Sequence, residues 1–216
     1  MKQFIIIISI LFSTVFVFGQ VESGFVYEVG IGAGFFTGNH NLSPRGVIYR
    51  ENYKSASPSL NARAHYVFNN NMSLGLKYHS FTTTGNYFTE TLNRITENIN
   101  AYYIAPQVGY VYPVSSKVSL GLNTGIGYLY YLNTGLESGS EYSILSNLAG
   151  GNADFSLEYF LKNNLSLGLN TAFFSSFYSN KIHVDKNGSS YIVKPDNWNK
   201  IRISKVDFSV FLRIKI

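Results

Sequence analysis

Apolar residues alternate with small or polar ones along most of this chain. From Val118 the even positions read Val118, Leu120, Leu122, Thr124, Ile126, Tyr128 and Tyr130, and the odd ones Ser119, Gly121, Asn123, Gly125 and Gly127. Side chains of a strand point alternately to opposite faces, so this stretch predicts a strand with one greasy face and one small or polar face. Met72–His79 and Leu165–Phe173 divide in the same way, and all three stretches contain Ser-Leu-Gly-Leu, beginning at Ser73, Ser119 and Ser166. The intervals are 46 and 47 residues (119 − 73 and 166 − 119). A fixed period marks a repeated supersecondary unit, which reads here as strand, tight turn, strand, long loop. Phe25–Phe36, Leu60–Phe68, Tyr102–Tyr112, Ala149–Leu161 and the run ending at Ile216 bring the predicted strands to eight. Each approaches the roughly 9–11 residues that a tilted membrane strand needs. Pro106 lies within the fourth strand and cannot donate to a ladder, which predicts a local bulge.

Connection lengths alternate as well. The stretches 37–56, 85–97, 133–148 and 179–200 are long and polar, whereas 69–71, 113–116 and 162–164 are short. Eight antiparallel strands with both termini at the short-turn end give this arrangement, and outer-membrane barrels have short periplasmic turns with longer extracellular loops. A lipocalin-like soluble barrel would turn the greasy face inward instead. Two features favour lipid outside. The polar face carries Gly30, Gly32, Gly34, Gly75, Gly121, Gly125, Gly127 and Gly168, which suits a narrow crowded lumen better than a hydrated exterior. Aromatic residues gather on the apolar face near the strand ends, with Phe25, Tyr27, Tyr66, Phe68, Tyr110, Tyr112 and Tyr159 at one end and Phe35, Tyr128, Tyr130 and Phe177 at the other. Such pairs of belts mark membrane interfaces.

The N-terminus supplies an address. Lys2 precedes an apolar run from Phe4 to Phe18, and Val17 and Gly19 stand where a signal peptidase expects small residues. Residues 1–19 therefore read as a secretory signal peptide and 20–216 as one barrel domain. The absence of cysteine excludes a disulfide scaffold and a zinc–thiolate site. The net charge of +5 falls on a chain with only 13% charged residues and no basic stripe, which argues against nucleic acid as a partner.

With these strands, turns and belts in place, the chain resembles the small eight-stranded outer-membrane barrel family, that of the OmpA transmembrane domain and OmpX. The resemblance covers nearly all of 25–216 and is architectural. It implies an all-β, up-and-down transmembrane barrel in contact with outer-membrane lipid and lipopolysaccharide, inserted by the barrel-assembly machinery. Such barrels end on an aromatic residue; Ile216 departs from that, although Phe208, Val210, Leu212 and Ile214 keep the alternation leading to it.

The predicted lumen holds Glu28, Asp154, Glu158 and Asp207 against Arg63, Lys77, Lys205 and Arg213, with His65, His79, Gln107, Asn123 and Asn170 among them. Mixed charges in a space only wide enough for side chains predict an ion-paired plug. Antiparallel closure should bring Glu28 and Arg213 to similar depth, with Arg63 as the competing partner. A narrow channel through the plug is the alternative function, and a lipid A-modifying enzyme a further one. His79 and Ser80 are neighbours on opposite faces, which opposes their acting as base and nucleophile. No catalytic signature or phosphate loop appears, and Gly30-x-Gly32-x-Gly34 lies inside a strand with no helix after it. The expectation is therefore a non-enzymatic barrel without cofactor or metal. Its surface chemistry lies in Arg45, Tyr49, Arg50, Tyr53 and Lys54 of the first loop and in Lys181, Lys186, Tyr191, Lys194, Trp198 and Lys200 of the last. Aromatic-plus-basic loops of this kind suit a surface or envelope protein, or the anionic sugars of the outer leaflet.

Overall fold

The computed structural model describes residues 23–38, 41–44, 52–88, 93–196 and 200–216. Its strands are β1 (Gly24–Phe36), β2 (Ser57–Val67), β3 (Met72–Phe88), β4 (Arg94–Pro113), β5 (Val118–Glu137), β6 (Ser140–Lys162), β7 (Leu165–Ser176), β8 (Ile182–Lys186), β9 (Ser189–Val193) and β10 (Ser204–Lys215). They form one antiparallel sheet in the order β5-β4-β3-β2-β1-β10-β7-β6-β8-β9, which the pairing of β5 with β6 closes into an eight-stranded ring carrying a β8–β9 hairpin. The predicted eight-stranded up-and-down barrel is the fold observed. The proposed signal segment lies outside the described residues.

Register fixes the dimensions. Cross-strand partners followed from Phe25 run through Tyr66, Leu74, Val108, Thr124, Ala153, Phe173 and Val206 to Phe35. One circuit thus climbs ten residues along β1 (35 − 25). With about 3.3 Å per residue and about 4.8 Å between strands, eight strands at this shear tilt by about 40° and enclose a radius of about 8 Å. Each residue then rises about 2.5 Å along the barrel axis. Tyr102 to Tyr112, ten steps along β4, covers about 25 Å, the height of an outer-membrane apolar band.

Above that band the two faces exchange polarity. Along β4 the outward side chains are Tyr110, Val108, Pro106, Ile104 and Tyr102 and then, further up, Asn100, Asn98 and Thr96. The inward ones pass from Gln107 to Tyr103, Ala101, Ile99 and Ile95, all buried. β3 and β6 change in the same way, near Ser80 and Asn147, which lie with Tyr102 and Tyr130 on one hydrogen-bonded row, whereas β5 keeps Leu132 and Leu136 outward. The wall therefore turns from membrane-type, greasy outside, to soluble-type, greasy inside, as it leaves the band.

Three sequence expectations are corrected. The loops predicted at 85–97 and 133–148 are mostly strand, because β3 to β6 run on for 17, 20, 20 and 23 residues. Burial of Ile95, Ile99, Tyr131 and Ile144 stabilises that extension. Ser138 and Gly139, with φ of 50° and 87°, connect β5 to β6 by a two-residue turn whose backbone suits the strand twist. The loop at 179–200 contains the β8–β9 hairpin, whose Asn187-Gly188 turn has the same positive φ pair. Asn-Gly is the strongest short-range hairpin signal in a sequence. Third, the expected bulge at Pro106 is absent. β4 and β5 keep one register through Ile104↔Tyr128 and Val108↔Thr124, and only the pairings between those points are missing. The irregularity falls between Phe160 and Lys162, where β6 meets β7.

Inward glycines let the small ring close. A Cβ on Gly75 would collide with the carbonyl oxygen of Ala64 and the Cβ of His65 on β2. Gly75→Val should thus lower the urea midpoint of the folded barrel, with a loss of about 1–3 kcal/mol or more from overpacking. An unchanged midpoint would show that the β2–β3 wall has room there.

Candidate functional site

All thirteen residues predicted for the lumen are buried there. Glu158, Arg213, Glu28, Arg63, Asp154 and Lys77 form a chain of alternating sign. Arg213 Nη2 donates to Glu28 Oε2 at 2.6 Å, and its Nη1 donates to Glu158 Oε2. Arg63 Nη1 lies 3.5 Å from Glu28 Oε2, and its Nη2 donates to Asp154 Oδ2 at 2.8 Å. Lys77 Nζ completes the chain at 2.6 Å from Asp154 Oδ1. Glu28 thus takes both of the partners considered, Arg213 across the closing seam and Arg63 across the β1–β2 pair.

This chain of ion pairs reaches across the lumen. β2 and β6 stand four strands apart in the eight-stranded ring, so the Arg63–Asp154 contact spans its diameter. Neutral groups satisfy the remaining acceptors. Ser119 Oγ donates to Glu158 at 2.9 Å and Ser166 Oγ donates to the same carboxylate. Asn152 Nδ2 donates to Asp154 at 2.7 Å, and Gln107 Nε2 and Tyr103 OH donate to Asn152 Oδ1 at 2.9 and 3.0 Å. Asn123 accepts from Ser73 at 3.4 Å. A buried charge needs such pairing and hydrogen bonding to be tolerated.

A second, smaller group sits higher. Lys205 Nζ lies 2.9 Å from Asp207 Oδ1 and 3.7 Å above the Phe81 ring. His79 Nδ1 meets Asn61 Oδ1 at 2.8 Å, while its Nε2 is 3.6 Å from Asp207 Oδ2. Phe36, Phe81, Phe174 and Tyr103 cover this group and begin an apolar core that continues upward through Leu129, Tyr131 and Ile99. The lumen is therefore stacked as ion pairs, then a His–Asp–Lys group, then an aromatic layer.

One buried polar centre escaped the sequence reading. Glu97, in the extension above the band, accepts from Tyr142 OH at 2.7 Å, Asn133 Nδ2 at 2.7 Å, Ser43 Oγ at 3.2 Å and Tyr53 OH. These donors tie the first loop to β4, β5 and β6. Burial, with the Glu97 carboxylate beside it, raises the Tyr53 phenol above its ordinary range and keeps it a donor. Ile95-x-Glu97-x-Ile99 carried the signal, since alternation places all three on one face.

The loop candidates fare unevenly. Lys54, Lys181, Tyr191 and Lys194 are exposed, and Lys200 is half-buried. Tyr53 is buried against Glu97 and is no surface residue, which corrects its assignment as a binding candidate. Lys186 is half-buried and donates to Glu137 at 2.7 Å, pinning the hairpin to β5. Arg45, Tyr49, Arg50 and Trp198 lie outside the described residues.

An eight-stranded antiparallel ring of this shear, greasy outside over one band and charged within, defines the outer-membrane class of β-barrel. Solved structures agree in fold. OprG from Pseudomonas aeruginosa superposes with a TM-score of 0.58 over 92% of this chain and 98% of its own, at 11% identity. Neisserial surface protein A gives 0.53 over 90% and 99%, at 13% identity. The outer-membrane protease OmpT from Escherichia coli gives 0.53 over 94% and 100%, at 8% identity. No protein-family model matches the chain, and no curated protein does. At these identities the likeness concerns the fold alone.

Removing one member of a buried pair leaves a charge unpaired, at a cost of about 3–5 kcal/mol, whereas a pair that water still reaches, such as the half-buried Lys186–Glu137, contributes about 0–1 kcal/mol. Glu28→Ala should therefore destabilise the folded barrel by several times more than Glu137→Ala in equilibrium unfolding. Equal losses would place Glu28 outside a dry interior.

Proposed function

We propose that this is an exported outer-membrane barrel that does not conduct and does not catalyse, and that its role is binding at the cell surface. A cleaved signal peptide ending at Gly19 or Gln20 delivers it, and the barrel-assembly machinery inserts it with the β3–β6 extension and the β8–β9 hairpin outside the cell. The observation that carries this reading is the stacked lumen. The Arg63–Asp154 pair crosses the diameter and an aromatic layer lies over it, leaving a hydrated ion two different obstacles. Side chains fill barrels of this size in general.

The surface that remains for function is the extension. It is rigid for a loop region, being strand-built and tied together by the Glu97 donors and the Lys186–Glu137 contact. Lys54 of the first loop and Lys181, Tyr191 and Lys194 in or beside the β8–β9 hairpin are presented next to it, a mixture that suits an acidic protein or sugar surface. Catalysis is disfavoured because His79 engages Asn61 and the neighbouring Ser80 faces the other side of β3.

In planar bilayers the purified protein should insert without a reproducible single-channel step. Discrete, ohmic openings at moderate voltage would replace this reading with the narrow-channel one. A peptide tag inserted at Gly188 should be accessible on intact cells, and labelling only after rupture would reverse the orientation.

A further inference from the structure

We propose that the lipid-facing wall over β5, β6, β7 and β10 holds one phosphorylated glycolipid of the outer leaflet, with Arg202 gripping its phosphate. This inference rests on the membrane placement and orientation given under the proposed function. A groove of about 540 Å³ runs down the outside of this wall. Its floor is made of small side chains, Thr124, Gly151, Ala153, Ser175 and Ser204, and its sides of larger ones, Ile126, Phe173 and Phe177. The last three are more than half exposed, at 68%, 55% and 61%, so they stand out as ridges.

Gly151 is the informative residue. Every other described strand glycine faces the interior, where a Cβ would come within 3.0 Å or less of a neighbouring atom. Gly151 alone faces outward, and a Cβ there would meet nothing closer than the Gly125 carbonyl oxygen at 3.5 Å. Neither packing nor backbone conformation requires glycine at this position, and its effect is to deepen the groove. Glycine within a strand otherwise weakens it, and often marks close approach by something else.

The head of the groove has a different chemistry. Ser175 Oγ and Ser204 Oγ are 3.0 Å apart, at the level of the upper aromatic belt. Arg202 stands above them, stacked 5.1 Å from the centre of the Tyr178 ring, with Nη1 3.4 Å from Tyr178 OH and Nη2 3.4 Å from Ser175 Oγ. Its Nε is buried without a hydrogen-bond partner, and no carboxylate among the described residues pairs with it. A guanidinium beside the Tyr178 ring at headgroup height, its two Nη groups held only by long 3.4 Å contacts, matches a phosphate by its forked geometry. An acyl chain would lie below it in the apolar groove. The groove opens at the loop end of the band, which places it in the outer leaflet and selects the phosphorylated glycolipid over a phospholipid.

The test uses the folded full-length protein in detergent, incubated separately with lipid A, dephosphorylated lipid A and phosphatidylglycerol, with retained lipid counted by native mass spectrometry. Wild type should retain one lipid A, and Arg202→Gln should reduce retention at least tenfold. Gly151→Leu should do the same by filling the groove, with folding of each variant checked by its heat-dependent migration. Should Gly151→Leu not fold, Arg202→Gln decides alone. Equal retention by Arg202→Gln, equal retention of the dephosphorylated form, phosphatidylglycerol held as tightly, or no retention by wild type would each overturn the proposal. A wild type that inserts into bilayers yet retains no lipid A would sink the groove site and leave the barrel reading standing.

Discussion

Closure of the sheet by β1 against β10 is the interaction on which the rest of this structure depends. In lipid an unpaired backbone group costs several kcal/mol, so a spanning sheet must have no open edge. Eleven consecutive cross-strand pairs, from Val26↔Lys215 to Phe36↔Lys205, remove that edge. They do so at a shear of ten, which sets the radius near 8 Å. From that radius follow the inward glycines, the narrowness of the lumen and the need to pair the charges inside it. Glu28 illustrates the dependence, because it meets Arg213 only across the seam that closure creates.

The polarity exchange along β3, β4 and β6 follows from solvent rather than from the backbone. The strand and its pleat continue without interruption past Tyr102 and Tyr130. Below those residues the surroundings are apolar and the lumen holds ion pairs. Above them the surroundings are water, and the same inward face carries Ile99, Leu129 and Tyr131. One continuous wall thus has two cores of opposite character, with the aromatic layer of Phe81, Phe174 and Tyr103 at their boundary.

This explains which features could be read from sequence. Strand faces, the thirteen lumen residues and the two aromatic belts were legible, because period two survives any environment. The upper parts of β3 to β6 were not, because strand segments with Asn86, Thr96, Thr134 and Ser143 outside look like polar loops where lipid is expected. Tyr53 was misplaced for a related reason. Its burial depends on Glu97, a carboxylate 44 residues away, and no local pattern announces such a contact. Arg202 and Gly151 were invisible individually and become informative only once β6, β7 and β10 lie side by side.

The most direct measurement of the membrane boundary is nitroxide accessibility along the outward face of β4. The chain has no cysteine, so each single-cysteine variant carries one label. A label at Val108 should be relaxed by oxygen dissolved in lipid and shielded from a water-soluble nickel complex. One at Asn98 should show the reverse, and the crossover should fall near Tyr102. Similar accessibility at Val108 and Asn98, or lipid exposure extending past Asn98, would contradict a band that ends where the faces exchange polarity.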